Sequence, residues 1–290
     1  MNAARALMAH LVDYAGLFPP AGLDMLTAAR RYREYLAGED RWALGRFVVP
    51  AAKLAEFEKA FEELCCGEHE PVWRVSVLAS GDAPCDARAV ADLPRGAMTV
   101  ESVEVKVGNA QDAERFLSNW ESELPPYVEF PSGVAEAMLP VLARFGARAK
   151  IRTGGVAAEA FPTTDVVADF LLACARQRIA FKATAGLHHA VRASHKLTYE
   201  VDSARATMHG FANVFLAAIL AWRGEKKQAI VDTLALAQAS AFTFNEESVQ
   251  WLGFEAGVDE IAATRRDFAT SYGSCSFTEP LEEARRLGWA

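Results

Sequence analysis

Short apolar runs alternate with longer amphipathic runs through most of the chain, and Gly, Pro, Asn or Asp residues occupy the connections. This alternation is typical of parallel strands joined by crossover helices. The pattern predicts strands at residues 11–15, 44–49, 72–78, 103–107, 127–130, 149–152, 180–185 and 271–277. It predicts helices at residues 26–37, 55–65, 86–93, 110–120, 134–144 and 164–178.

The number of predicted strands favours a closed (β/α)8 barrel of the TIM type over an open doubly wound sheet. An open sheet that binds a dinucleotide carries G-x-G-x-x-G after its first strand, and no such motif follows the first predicted strand here. A helical insertion at about residues 200–250 precedes the last strand, with its clearest helices at 204–223 and 227–241. We therefore expect a single barrel domain over residues 1–290.

Several predicted strands carry polar residues where a buried parallel strand is ordinarily apolar on both faces. These residues are Glu104 and Lys106, Glu129, Lys150 and Arg152, and Lys182 and Thr184. The members of each pair lie two residues apart, so they point to the same side of their strand. If they converge on the barrel axis, they form a cluster that must be paired or functional. Alternatively, they lie at strand ends, extend to solvent or form a structural layer of salt bridges.

Lys150 and Lys182 lie on neighbouring predicted strands. Burial and a nearby ammonium group both lower the pKa of a lysine, because both disfavour its charged form. A lysine of lowered pKa can act as an amine nucleophile and form a Schiff base with a carbonyl compound. Glu104 or Glu129 would then relay protons through a water molecule.

Three short motifs resemble those of deoxyribose-phosphate aldolase, a class I aldolase whose Schiff-base lysine lies on the sixth strand of a barrel. Residues 150–154 read KIRTG and resemble the family's K-x-x-T-G element. Residues 182–186 read KATAG and are similar to its K-A-x-G-G element, and residues 272–276 read YGSCS and resemble its Gly-x-Ser-Ser phosphate loop. The motifs occur in the family's order, in the C-terminal half of the chain.

The resemblance implies that Lys150 forms the Schiff base and that Lys182 is its electrostatic partner. An acidic residue on the family's fourth strand falls on Glu104. The residues that the resemblance places near a phosphate group are Gly186, Ser274 and Ser276.

Arg152 is a further candidate for anion binding because Gly154 and Gly155 follow it and a helix begins shortly afterwards. The guanidinium and the backbone N–H groups of this loop suit a carboxylate or a phosphate. The alternative is a surface arginine that pairs with an acidic residue of a helix. The other predicted substrate-binding residues are Thr153, Lys106, Thr184 and Gly186.

His188 and His189 follow the seventh predicted strand, at the rim where barrel enzymes place catalytic groups. His188 is therefore a candidate general acid, although both histidines are also compatible with a loop that has no catalytic role. Adjacent histidines point in different directions, and neither H-x-H nor H-E-x-x-H occurs at this rim, so we expect no metal site.

Asp13 and Cys275 have two interpretations each. Asp13 lies in the first predicted strand, where it is either an acid in the site wall or the start of a rigid turn that continues to Pro19 and Pro20. Cys275 lies within the phosphate-loop motif, but the sequence assigns it no His or Asp partner, so we expect a small buried residue rather than a nucleophile.

The charge balance narrows the classes of partner. The chain has 30 Lys and Arg against 38 Asp and Glu, a net charge of −8, and no basic run, which excludes a nucleic-acid partner. The predicted strands nevertheless concentrate cations, which favours a small anionic ligand. Five cysteines without a C-x-x-C pair indicate a reducing, cytoplasmic location. We expect neither a signal peptide nor a membrane span, because no apolar run reaches about 18 residues.

These observations predict an enzyme that acts on a small anionic aldehyde, keto acid or sugar phosphate. The predicted chemistry is a Schiff base on Lys150 or proton transfer between lysine and carboxylate, as in an aldolase or another lyase. No cofactor is expected, and the apolar insertion makes a homo-oligomer plausible. One alternative is a metal-assisted hydrolase or isomerase that uses Glu104, Glu129 and His188 or His189. The other is a non-catalytic barrel that binds an anionic ligand.

Overall fold

The computed structural model describes residues 2–65, 71–94 and 96–289 of the chain. Its strands are β1 (Val12–Tyr14), β2 (Leu44–Pro50), β3 (Trp73–Leu78), β4 (Met98–Lys106), β5 (Tyr127–Glu129), β6 (Arg148–Arg152), β7 (Phe181–Thr184), β8 (Ala193–Lys196), β9 (Arg205–Met208), β10 (Thr243–Phe244), β11 (Ser248–Trp251), β12 (Phe254–Gly257) and β13 (Ala269–Ser274). Its α-helices are α1 (Ala3–Met8), α2 (Met25–Ala37), α3 (Leu54–Leu64), α4 (Ala83–Ala91), α5 (Ala110–Ser118), α6 (Ala135–Phe145), α7 (Thr164–Arg176), α8 (Phe211–Arg223), α9 (Lys227–Ala235), α10 (Val258–Asp267) and α11 (Thr278–Arg286).

Eight parallel strands form a closed barrel at the centre of the molecule. Strands β1 to β7 follow one another in chain order, and β13 pairs with both β7 and β1 to close the ring. Neighbouring outer helices pack against each other, as α2 does with α3 and α7 with α8. The fold is therefore the predicted TIM-type barrel. The barrel strands agree with the predicted ones to within three residues at each end, except that β4 begins five residues earlier than predicted.

An aromatic core joins β2 and β3 to the helices that cover them. The rings of Tyr32 and Trp73 lie 5.0 Å apart in an edge-to-face arrangement, and those of Phe47 and Phe57 lie 5.2 Å apart and nearly parallel. All four side chains are fully buried. The Tyr32 hydroxyl donates a hydrogen bond to the Gly45 carbonyl, so its polar end is satisfied at no loss of packing. This core packs α2 and α3 onto the outer side of β2 and β3.

The chain between β7 and β13 contains both helices and strands. Strands β8 and β9 form an antiparallel hairpin, and β10, β11 and β12 form a three-stranded antiparallel sheet. Helix α8 is almost entirely buried and packs onto the barrel, with the ring of Phe215 6.5 Å from that of Phe181. It thus supplies the helical cover that a barrel strand such as β7 requires.

The prediction of a helix over residues 204–223 is wrong at its start. Residues 205–208 alternate between solvent and interior and pair with β8 as strand β9, and the helix begins only at Phe211. The predicted helix at 227–241 ends earlier, at Ala235. Within the described residues, no helix is long and apolar enough to cross a membrane.

Candidate active site

A cavity of about 700 Å³ opens at the carboxyl ends of the barrel strands. The last residues of four neighbouring strands line it, namely Lys106, Glu129, Arg152 and Thr184. The β8–β9 hairpin also lines it, through residues such as His195, Lys196 and Tyr199. Barrel enzymes place their reacting groups at this end, where the strand ends and the following loops meet.

The charged residues of the strands form a chain of ion pairs that runs from the barrel interior to the cavity. The Lys150 Nζ lies 2.7 Å from Glu104 Oε2 and 2.8 Å from Glu129 Oε2. The Lys182 Nζ lies 2.5 Å from Glu104 Oε1 and 2.7 Å from Asp13 Oδ2. Both ammonium groups therefore contact the same carboxylate, one at each oxygen.

The chain of ion pairs continues at both ends. Arg152 Nε lies 2.9 Å from Glu129 Oε1, and Arg46 Nη1 lies 3.5 Å from Asp13 Oδ1. Arg46 also pairs with Glu101 at 3.1 Å, so cations and anions alternate in the order Glu101, Arg46, Asp13, Lys182, Glu104, Lys150, Glu129, Arg152. Alternation gives each buried charge a partner of opposite sign, which offsets the cost of removing it from water.

Two serine hydroxyls complete the hydrogen bonding of the buried carboxylates. Ser76 Oγ donates to Glu104 Oε1 at 2.5 Å, and Ser271 Oγ donates to Asp13 Oδ2 at 2.7 Å. The backbone N–H of Arg46 donates to the second oxygen of Asp13 at 2.8 Å. Both carboxylates are thus bound at both oxygens, which fixes their orientation.

Strand register explains why the charges meet. Glu129 pairs with Lys150, and Lys150 pairs with Lys182, across three adjacent parallel strands. Neighbours in register point to the same side of a sheet, so the three side chains enter the barrel together. Glu104 on β4 and Asp13 on β1 reach the same space from other sides of the ring.

The surrounding cations keep the carboxylates ionised. Burial by itself raises the pKa of a carboxyl group, but Lys150 and Lys182 outweigh burial and hold the pKa of Glu104 well below its ordinary value. Burial is likewise outweighed at Asp13, where Lys182 and Arg46 lower the pKa. Lys150 and Arg152 lower that of Glu129 against the same opposing effect.

Lys182 differs from the sequence-based expectation of a lysine pair that lowers its own pKa. Burial does lower the pKa of Lys182, but the contacts with Asp13 and Glu104 outweigh burial and raise it. The reason is that the Lys182 ammonium group lies between Asp13 and Glu104 and binds both. Lys182 is therefore a fixed cation that orients two carboxylates, and its own pKa is raised rather than lowered.

Both lysines are buried, but only one of them lines the cavity. Lys150 forms part of the cavity wall, whereas Lys182 and Asp13 do not reach the cavity. The Lys182 side chain is 1% exposed and that of Lys150 is 4% exposed. Lys150 is thus the ammonium group of the ion-pair chain that a small molecule in the cavity meets.

Four cations surround this position at the cavity wall. Lys106 and Arg152 end their strands, and Lys196 and Arg205 belong to the β8–β9 hairpin. The side chain of Arg152 is 46% exposed although it also binds Glu129. In the described part of the chain, no ion pair is recorded for Lys106. This arrangement gives the cavity a positive rim within an acidic protein.

Predicted substrate-binding residues of the glycine loops divide into two groups. Gly155, Thr184 and Gly186 line the cavity. Thr153 is fully buried, and its hydroxyl donates to the Ala185 carbonyl at 2.5 Å. Gly154 packs so closely on the next strand that a Cβ there would lie 2.8 Å from the Gly186 Cα. These last two residues join β6 to β7 and do not line the cavity.

The serines of the proposed phosphate loop lie away from the cavity wall. Ser274 is buried at the end of β13, and its hydroxyl accepts a hydrogen bond from the Ser276 N–H. The Ser276 hydroxyl accepts from the Glu279 N–H and faces a separate cavity of about 240 Å³ beside Arg31. Gly273 of the same motif does line the main cavity.

His188 lines the cavity as the rim prediction requires. Its Nδ1 lies 2.9 Å from Glu279 Oε2, and its Nε2 lies 3.9 Å from Cys275 Sγ. Burial lowers the pKa of His188, but the contacts with Cys275 and Glu279 outweigh burial and raise it to about 9. His189 points elsewhere, with its Nδ1 3.0 Å from Glu283 Oε2.

Sequence reasoning missed several members of the site. Arg46 carried the same signal as the other candidates, a charge inside a predicted strand. Ser76 and Ser271 gave no signal, because a serine in a strand is ordinary. Asp13, for which two interpretations were open, is a fully buried member of the ion-pair chain. Cys275 does have a histidine neighbour, but that neighbour lies 87 residues away in the sequence.

Among the described residues, no group of three His, Cys, Asp or Glu side chains is arranged to hold a metal ion. The carboxylate oxygens of Glu104 and Glu129 bind lysine and arginine side chains, and His188 pairs with Glu279. The three residues of the metal-dependent alternative therefore do not form one ligand set.

Comparisons with known proteins add no further constraint. No protein family model matches the chain, no curated protein is significantly similar to it, and no solved structure matches its fold significantly.

Proposed function

We propose that the protein is an enzyme that acts on a small anionic carbonyl compound, with Lys150 as its reactive residue. The observation that carries this proposal is the position of Lys150. It belongs to the buried chain of ion pairs and also forms part of the wall of the 700 Å³ cavity. A lysine held between two carboxylates at the carboxyl ends of barrel strands suits chemistry on a carbonyl group.

The contacts of Lys150 define a route to an imine. Glu129 Oε2, at 2.8 Å, accepts a proton from the ammonium group, and the free amine attacks the carbonyl carbon of the substrate. The same carboxyl group returns this proton to the former carbonyl oxygen and then carries a second proton to it from the nitrogen, so that the oxygen leaves as water. The product is a protonated imine between Nζ and the substrate carbon.

The two carboxylates then stabilise the reaction intermediate. A protonated imine carries the same positive charge as the ammonium group it replaces, at nearly the same place. Glu104 and Glu129 are already oriented around that place, so no charge has to be rearranged. Lys182 contributes indirectly, because it holds Glu104 ionised and fixed from the opposite side.

The cavity wall favours an anionic substrate. The cations Lys106, Arg152, Lys196 and Arg205 surround the entrance, while Phe18, Pro20 and Phe161 supply apolar surface. A carboxylate or phosphate group can bind at this rim while the carbonyl carbon lies at Lys150. The resemblance of residues 150–154 to the aldolase motif supports the choice of the same lysine.

Borohydride trapping tests the imine directly. The protein is incubated with pyruvate, glyoxylate or glyceraldehyde 3-phosphate, reduced with sodium borohydride and mapped by mass spectrometry. We expect a stable secondary amine on Lys150 with at least one of these compounds. Lys150→Arg should abolish it, whereas the matched rim substitution Lys106→Arg should retain it.

Two results would overturn the imine mechanism. One is the absence of any adduct on Lys150 with all the carbonyl compounds, and the other is equal labelling of Lys106 and Lys150. Exchange of the α-hydrogens of a keto acid with deuterated water, lost in Lys150→Arg but without a trapped adduct, would instead support proton transfer between lysine and carboxylate. Binding without adduct or exchange would favour a non-catalytic barrel.

A further inference from the structure

The cavity wall contains a second group of reactive side chains, separate from the ion-pair chain. Cys275, His188 and Glu279 all line it. The His188 ring bridges the other two, with Nε2 3.9 Å from Cys275 Sγ and Nδ1 2.9 Å from Glu279 Oε2. A thiol, an imidazole and a carboxylate in this order are the parts of an activated cysteine nucleophile.

The barrel topology brings these residues together. Cys275 directly follows β13, His188 follows β7, and β7 and β13 are neighbouring strands of the barrel. Glu279 lies in the first turn of α11, immediately after the loop that carries Cys275. All three therefore lie at the carboxyl ends of the strands, on the side of the barrel where β7 meets β13.

The electrostatic environment favours a charged imidazole. Burial lowers the pKa of His188, but Cys275 and Glu279 raise it to about 9, so the ring carries a proton at neutral pH. Burial raises the pKa of Glu279 in turn, but His188 outweighs burial and lowers it. An imidazolium next to a sulfur atom stabilises the thiolate form, which is the nucleophilic form of cysteine.

We propose that Cys275 is a second nucleophile of this cavity, with His188 as its proton acceptor and Glu279 as the residue that positions His188, and that it adds to the carbonyl carbon of a small aldehyde. Cys275 is 6% exposed and reaches solvent through the cavity, which restricts access to small molecules. The Tyr199 hydroxyl lies 3.9 Å from Sγ and covers the sulfur from the hairpin side.

The addition is reversible and requires no oxidant. In the reacting pair the shared proton lies on His188 Nε2, and a lone pair of the Cys275 sulfur forms the C–S bond to the carbonyl carbon. The π electrons of the carbonyl move to its oxygen, which takes this proton from the imidazolium. The product is a hemithioacetal, and reversal of the same steps releases the aldehyde and the thiol.

Alkylation with iodoacetamide tests the reactivity of each cysteine in the intact protein. Trypsin places Cys275 in the peptide 267–285 and the exposed Cys85 in the peptide 75–88, so mass spectrometry follows both in one sample. We expect Cys275 to react at least as fast as Cys85 despite its burial. His188→Gln should slow Cys275 at least tenfold, and Cys85 should keep its rate.

Glu279→Gln separates positioning from a purely structural role. This variant keeps a side chain that can hydrogen-bond to the ring but removes the charge. We expect an intermediate loss of Cys275 reactivity and a displaced pH profile of alkylation, with Cys85 again unchanged. An unchanged Cys85 rate and an unaltered circular dichroism spectrum show that each variant is folded.

The aldehyde step is tested in the Lys150→Arg background, where residue 150 cannot form an imine. Butyraldehyde should protect Cys275 from iodoacetamide in a concentration-dependent manner and should leave Cys85 unprotected. The proposal is wrong if Cys275 reacts more slowly than Cys85, if His188→Gln leaves its rate unchanged, or if butyraldehyde gives no protection. None of these results depends on turnover or on trapping at Lys150, so this site and the proposed function can fail independently.

Discussion

Lys150 and Lys182 are neighbours in register and bind the same carboxylate, but their surroundings differ. The enclosed part of the ion-pair chain, defined by Asp13, Lys182 and Ser271, is buried within the barrel. The open part, defined by Lys150, Glu129 and Arg152, forms part of the cavity wall. Glu104 connects the two parts, with one oxygen on each lysine.

The same pattern of ion pairs has different consequences in the two parts. In the enclosed part, every charge is paired within the protein, and a small molecule cannot reach it. In the open part, the same pairing leaves an ammonium group and two cationic strand ends next to a cavity. Buried ion pairs alone are weak evidence of catalysis, so Lys150 is singled out by its position in the cavity wall.

Removing Lys182, the lysine of the enclosed part, should have the largest effect on stability. Lys182→Met leaves Asp13 and Glu104 buried with one partner fewer each, and breaking a buried pair in this way costs about 3–5 kcal/mol of unfolding free energy. Urea denaturation followed by circular dichroism measures this loss. Lys106→Met, at an exposed strand end, should change stability by no more than about 0.5 kcal/mol. A loss below about 1 kcal/mol in Lys182→Met would contradict the distinction between the two parts.

Removing Lys150, the lysine of the open part, should lower stability less than Lys182→Met does, but it should abolish the reaction with carbonyl compounds. In Lys150→Met, Glu104 still has Lys182 and Glu129 still has Arg152, so we expect a loss of about 1–3 kcal/mol. Borohydride trapping should vanish in the same variant. The same urea titration, run beside Lys182→Met, checks the order of the two losses, and a reversed order would mean that the open part carries the fold.

Acid should weaken the fold through the carboxylates that connect the two parts. The pKa values of Asp13, Glu104 and Glu129 lie below their ordinary values of 3.8, 4.5 and 4.5 in the folded protein, so their stabilisation is present above those values. It is lost as the pH falls below about 4.5 through the folded-state pKa values. Unfolding free energies measured from pH 6 to pH 3 should decline, and the decline should be shallower in Glu104→Gln.

A surface ion pair provides the control for this pH dependence. Glu114 is half-exposed and pairs with Arg144 on the outside of the barrel, where solvent screens the interaction. Glu114→Gln should therefore keep the slope of the wild-type protein. An equally shallow slope in both variants would show that the acid sensitivity does not come from the barrel interior.

Among these substitutions in the ion-pair chain, the smallest effect on stability is expected at Arg152, at the solvent end of the open part. Its guanidinium is about half-exposed, so Arg152→Gln should change the unfolding free energy by no more than about 1 kcal/mol. The concentration of glyoxylate that gives half-maximal trapping should rise several-fold, because a rim cation is lost. Arg115→Gln, which removes a comparable surface arginine paired with Asp112, should leave that concentration unchanged.

The sequence predicted the barrel strands because their patterns are local. A buried parallel strand is a short apolar run between turn residues, and the rhythm of strand and helix recurs around the barrel. The same locality explains the error at residues 204–210. Strand β9 lies directly before an apolar helix, and its pairing with β8 rather than its composition makes it a strand.

The sequence by itself also determined that Lys150 and Arg152 point to one side of their strand, since strand parity fixes side-chain direction within a strand. Register between strands, which belongs to the tertiary structure, placed Lys150 beside Lys182. Only the tertiary structure decided what lies between them. Glu104 is 78 residues from Lys182 in the sequence, and Cys275 is 87 residues from His188. Contacts over such separations depend on barrel closure and register, which no local pattern encodes. The tertiary structure thus fixed Lys182 inside the barrel, placed Lys150 in the cavity wall and gave Cys275 a histidine neighbour.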